Sequence, residues 1–175
     1  MRHKMTRRED GFTLIELLIV VAIVGVLAAI VTSQLMRARA SANESAAISS
    51  LRAISSGQIA YQQSCGRNGY ATTLTSLGPP APGQAAYLSP ELTLAALVVK
   101  SGYQVALTAS ALSSPGNPDC TGAATADGFY ASAQPVSFGS SGSRSFAVAT
   151  SGTIWQVSAA APPVEPFGPP AVPIN

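Results

Sequence analysis

The residues in this chain that could do chemistry are few and far apart. Glu16 is a carboxylate at the mouth of a long apolar run, and the small-to-bulky junction Gly11–Phe12 lies just ahead of it. Cys65 and Cys120 are the two thiols, and Asp119 and Asp127 flank the second of them. The single histidine, His3, precedes the apolar run, so the rest of the chain has no imidazole for base or metal work. Nucleophile elbow, phosphate-binding glycine loop and paired-carboxylate motif are all missing from the sequence. Two cysteines without nearby partners do not make a zinc site. Asp119 and Asp127 suit turn hydrogen bonding, and as a calcium pair they would be thinly supplied with ligands. These residue types lead us to expect no enzyme, no cofactor and no metal.

Glu16 needs an explanation because it opens onto hydrocarbon-like sequence. From Leu17 to Met36 no residue is charged. At about 1.5 Å per residue this run makes a helix about 30 Å long, enough to cross a bilayer core. Arg2, Lys4, Arg7 and Arg8 precede it against Glu9 and Asp10. That basic start keeps the N-terminus cytoplasmic and exports the rest. A secretory signal peptide shares this outline, and Ala38-Arg39-Ala40 and Ala40-Ser41-Ala42 resemble its cleavage sites. A plain membrane anchor fits the length too. Neither accounts for a carboxylate at the edge of hydrocarbon, which is expensive and usually functional.

Gly11-Phe12-Thr13-Leu14-Ile15-Glu16 and the apolar run after it resemble the processing site of type IV prepilins and type II secretion pseudopilins. The resemblance implies cleavage between Gly11 and Phe12 by a membrane-embedded prepilin peptidase, then N-methylation of Phe12. It implies a helix that is first a membrane anchor and later a filament core. Glu16 would then pair with the Phe12 amine of a neighbouring subunit during assembly. An unpaired buried charge is strongly disfavoured, so the pairing would fix register. Many relatives carry a proline late in the run; aligned from Phe12, that place is Ser33 here, preceded by Thr32. These side chains bend a helix only mildly. Implied partners are identical or related pilin subunits, the peptidase, and an inner-membrane assembly platform with its ATPase. The implied location is the bacterial inner membrane, single-pass with a cytoplasmic N-terminus, and later a periplasmic pseudopilus or an extracellular pilus.

Beyond the membrane the helix should continue to about Ser64, with Ala47, Ile48, Leu51, Ile54, Ile59 and Tyr61 on one side of a 3.6-residue wheel. Arg37 and Arg39 suit either snorkelling at the membrane edge or salt bridges between stacked subunits. Residues 65–83 read as a turn-rich connection with a helical turn near Leu74–Leu77. Residues 89–99 read as a short helix with Pro90 at its first position. Strands are expected at 102–110, at 128–138 with Pro135 marking an edge or bulge, and as a hairpin over 144–158 that breaks at Ser151-Gly152. The fold class is therefore α+β: a long N-terminal helix on a small antiparallel meander, which is also the pilin-like order. The expected organisation is a leader at 1–11, a membrane-spanning helix at 12–36, its amphipathic continuation at 37–64, a head at 65–160 and a Pro-rich extended tail at 161–175.

Both cysteines fall in the exported, oxidising compartment, where a Cys65–Cys120 bridge is expected over free thiols. Only 10% of residues are charged and 6% aromatic. Arg67, Lys100 and Arg144 are scattered, so a nucleic-acid-binding face is not expected. A structural filament subunit is favoured over a tethered adhesion or DNA-binding module. Pilus and secretion pseudopilus both fit the chain.

Overall fold

The computed structural model describes residues 11–174, without the side chains of residues 31–33. The leader residues 1–10, and the side chains of Thr32 and Ser33, lie outside the described residues. The chain divides between Ala38 and Arg39 into two compact units.

A single helix, α1 (Leu14–Gln63), contributes to both units. In the N-terminal unit it presents Leu17, Leu18, Ile19, Val20, Ile23, Val24 and Leu27 to the surroundings, and it is long and apolar enough to cross a membrane. Charge-free aliphatic surface of this kind is stable against lipid or other helices, not against water. In the second unit Ala47, Leu51, Ile54 and Tyr61 of α1 are buried. Ile59, placed on that face by the helical wheel, is 49% exposed, and Gln58 is buried in its stead. Gln58 is tolerated there because its amide donates to the Ala71 carbonyl at 2.7 Å and accepts from the Ala71 amide at 2.8 Å. The helix stops where Gly66 N–H turns back to the Tyr61 carbonyl at 2.7 Å and Arg67 and Asn68 take positive φ.

After α1 come β1 (Tyr70–Ala71), a 3₁₀ turn at Thr75–Leu77, α2 (Pro90–Thr93), β2 (Leu97–Lys100), β3 (Tyr103–Ala109), β4 (Thr125–Ala126), β5 (Phe129–Pro135), β6 (Ser145–Ala149), β7 (Ile154–Val157) and β8 (Val172–Pro173). β1 and β4 form a two-stranded ribbon; the other six strands form an antiparallel sheet in the order β2-β3-β5-β6-β7-β8. Tyr103, Val105 and Leu107 of β3, Phe129, Ala131 and Ala133 of β5, Phe146 and Val148 of β6 and Ile154 of β7 meet the buried face of α1 in one core. The period-2 burial of β3 and β5 is that of strands with one face on a core. The β2–β3 turn is the two-residue Ser101-Gly102, both at positive φ, as the tightest hairpins require.

Four further details differ from the expectations drawn from sequence. The helix begins at Leu14, not Phe12. Of 89–99, only Pro90–Thr93 is helical, and Leu97–Lys100 forms the first strand of the sheet. A run of β-branched residues beside the tight Ser101-Gly102 turn favours that pairing over helix. Pro135 marks neither an edge nor a bulge: it is the last residue of an interior strand, paired with Tyr103. The C-terminal segment does not extend away. Val172–Pro173 pairs with β7, Phe167 stacks on Trp155 and Tyr130, and Tyr130 Oη donates to the Pro163 carbonyl. All five residues of β6 are consequently buried, although only one face of the sheet is turned to α1.

Candidate processing and assembly site

Gly11, Phe12 and Thr13 precede the helix in non-helical backbone, and Phe12 is 79% exposed. Thr13 is the residue that stops the helix. Its Oγ1 accepts from the Glu16 amide at 3.3 Å. In return, Glu16 Oε2 accepts from the Thr13 amide at 2.9 Å and from Thr13 Oγ1 at 2.6 Å. This reciprocal arrangement of Thr and Glu three residues apart is a capping box, which satisfies donors left over at a helix start. Thr-x-x-Glu ahead of an apolar run is the sequence signal for it, and reading the segment for Gly11, Phe12 and Glu16 alone passes over Thr13.

Arg37 and Arg39 are exposed. In the head, the structure joins Cys65 to Cys120 in a disulfide, and the Cys120 amide donates to the Cys65 carbonyl at 2.8 Å. Beside the bridge, Asp119 is 4% exposed yet fully engaged. It accepts from Tyr61 Oη at 2.6 Å, from the Thr121 amide at 2.7 Å, from Thr121 Oγ1 at 2.8 Å and from the Ala123 amide at 2.8 Å. Burial pushes its carboxyl up, but the bonds from Tyr61, Thr121 and Ala123 outweigh burial and hold it below the usual aspartate value. Burial, with the Asp119 carboxylate next, drives the Tyr61 phenol well above its ordinary value, so it remains a donor. Asp127 accepts from the Ser114 amide at 2.7 Å. Both aspartates therefore tie down the loop between β3 and β5.

A second polar cluster pins the start of the head helix. Glu44, buried on α1, accepts from the Ser143 amide at 2.8 Å, from Ser143 Oγ at 2.9 Å, and from Arg144 Nε at 2.9 Å and Nη2 at 2.6 Å. Burial works against its charge, and these donors still hold its carboxyl below the usual glutamate value. Arg144 also donates to Gln156 Oε1 at 2.6 Å and lies over the Phe146 ring. Neither the Tyr61–Asp119 nor the Glu44–Arg144 contact has a local sequence signal; their partners are 58 and 100 residues apart.

An apolar helix with an N-terminal acid, continuing into a head helix laid on an antiparallel sheet, defines a pilin-like α+β protein. The family described as the prokaryotic N-terminal methylation motif matches residues 6–32. The chain is similar to type II secretion system core protein G of Dickeya chrysanthemi, 39% identical over 74 residues, which is 42% of this chain and 47% of the relative. The match thus spans about half the length of that relative. No solved structure matches. The chain therefore carries the prokaryotic N-terminal methylation motif and is distantly similar, over part of its length, to a type II secretion core protein.

Proposed function

We propose that the chain is a structural subunit of a pilus-like filament. Its N-terminal helix anchors it in the inner membrane, prepilin peptidase cuts it between Gly11 and Phe12, and the Phe12 amine is methylated. It then polymerises through that helix with identical or related subunits, driven by an inner-membrane platform and its ATPase. The carrying observation is the exposed aliphatic segment of α1 headed by Glu16 and an accessible, non-helical Gly11–Phe12 junction. Among the described residues a side chain at Gly11 would meet nothing within 4 Å, so its absence answers no packing need there. A tight protease subsite supplies the need.

Within that reading, the identity to core protein G favours the pseudopilus of a type II secretion system. Intact-mass spectrometry of protein recovered from membranes and from sheared filaments tests the processing step. The expected mature chain starts at N-methyl-Phe12, and a Gly11→Leu variant accumulates uncut. A start at Ser41 or Asn43 would mean an ordinary signal peptide. Deleting the chain separates the two systems: loss of exported enzymes from the medium marks a pseudopilin, loss of surface filaments a pilin.

A further inference from the structure

We propose that Thr13 is a positioning residue for the processing step: its cap stops the helix short and keeps the Gly11–Phe12 bond extended for the peptidase. The inference rests on the filament-subunit reading and names a residue that this reading leaves without a role. A protease must grip the backbone on both sides of the bond it cuts, and backbone folded into a helix has its groups turned inward to its own ladder. In this chain the scissile junction lies one residue ahead of Thr13. The helix ends where the Thr13 hydroxyl accepts from the Glu16 amide and the Glu16 carboxylate answers on Thr13. Phe12 is exposed, and among the described residues nothing lies within 4 Å of where a Cβ on Gly11 would sit, so the capped helix start is what the described structure offers to keep the junction out of the helix. The methylation-motif match runs through this junction, which ties the geometry to a reaction at that bond.

The sequence supplies the competing state. Asp10 is the next residue upstream whose type favours a helix cap. A helix begun there would place Gly11 and Phe12 in its first turn, and the scissile bond with them. Removing the Thr13 hydroxyl shifts the balance toward that longer helix. The carboxylate of Glu16 is the lesser half of the box for this purpose, because the hydroxyl still caps the residue-16 amide without it.

The test uses the full-length chain in cells that contain the peptidase, followed by pulse-chase of precursor to mature form. Thr13→Val keeps the shape and loses the hydroxyl; Thr13→Ser and Thr13→Asn keep a cap. Cleavage of Thr13→Val is expected to slow about fivefold, the factor that corresponds to an average cap loss. The Ser and Asn variants should be cut at close to the wild-type rate. In detergent, the Phe12 and Gly11 carbon shifts of the precursor should move toward helical values in Thr13→Val and in neither of the others. Wild-type rates for Thr13→Val, or an equal slowing for Thr13→Ser, overturn the proposal while the filament reading stands. If the wild-type chain is not cut at Gly11–Phe12, both fall together.

Discussion

Breaking the Cys65–Cys120 bridge should lower the melting temperature of the head far more than removal of any single hydrogen bond in it. The bridge joins residues 55 apart in sequence. Closing a loop of that size removes about 14 cal/mol/K of entropy from the unfolded chain, or about 4 kcal/mol at 25 °C. The compact unit runs from Arg39 to Asn175, about 137 residues. At about 2.1 cal/mol/K per residue its unfolding entropy is about 0.29 kcal/mol/K, so the expected fall is roughly 14 °C. That is a large part of the roughly 5–15 kcal/mol that keeps an ordinary domain folded. The loss also sits beside a buried carboxylate. The bridge holds the 114–124 segment against the end of α1, where Asp119 finds Tyr61.

The assay is thermal unfolding, followed by circular dichroism, of a fragment starting at Arg39. It compares the oxidised wild type with Cys120→Ser in reductant. The Cys120 amide can still reach the Cys65 carbonyl in the variant, so the comparison isolates the covalent link. A drop under about 4 °C, roughly 1 kcal/mol on the same scale, would refute the chain-entropy argument. The bridge would then be dispensable, with the hydrogen bonds around Asp119 holding the loop unaided.

Asp119 and Glu44 both have carboxyls held below their ordinary values, so their contribution is complete above the unfolded carboxylate range. It is lost as pH falls through their lower folded values, so the head should lose stability progressively as pH falls below the unfolded carboxylate range, about pH 4. Tyr61→Phe removes one donor from Asp119 and should cost about 1.5–3 kcal/mol near neutrality. The gap in melting temperature from wild type should narrow in acid; a gap constant with pH would show that the carboxylate is not the acceptor that matters. Glu16→Ala and Glu16→Gln should both be cut after Gly11 and both fail to enter filaments, while Glu16→Asp recovers in part. Wild-type amounts of Glu16→Ala in sheared filaments would end the charge-pairing argument.

Elements whose signal is local are legible in the sequence. The exposed apolar half of α1 follows from an uninterrupted charge-free run, and β3, β5 and the β6–β7 hairpin follow from alternation and turn residues. β2 is not legible because its signal is shared: the short apolar stretch at 94–99 after Pro90 suits either period, and pairing with β3 decides it. The tail is not legible because proline content predicts irregular backbone and says nothing about where that backbone lies. Here Phe167 finds an aromatic platform on Trp155 and Tyr130, a contact set by tertiary geometry alone. The same holds at the polar sites. Glu44 and Asp119 look like ordinary surface acids until distant partners bury them. Thr13 is the contrary case, since its capping pattern is written in four consecutive residues.

The acids of the described chain also bear on the order of events in assembly. Glu44 has Arg144 and Glu91 has Lys100 as cationic partners, and Asp119 is buried among hydroxyl and amide donors. Asp127 is exposed and Glu165 half-exposed, where water serves them. Glu16 is held by the hydroxyl and amide of Thr13, which are neutral donors, and both reach the same oxygen, Oε2. In the proposed membrane-anchored state that arrangement suffices, because the headgroup region still solvates the charge. In a packed filament core it does not, and the carboxylate needs a cation. The nearest one the sequence can provide is the Phe12 nitrogen, which is a neutral amide until the Gly11–Phe12 bond is cut. In the proposed processing, cleavage therefore creates the counter-charge as well as releasing the leader. In the filament reading an uncut subunit carries the acid without its partner, and electrostatics alone places processing before polymerisation.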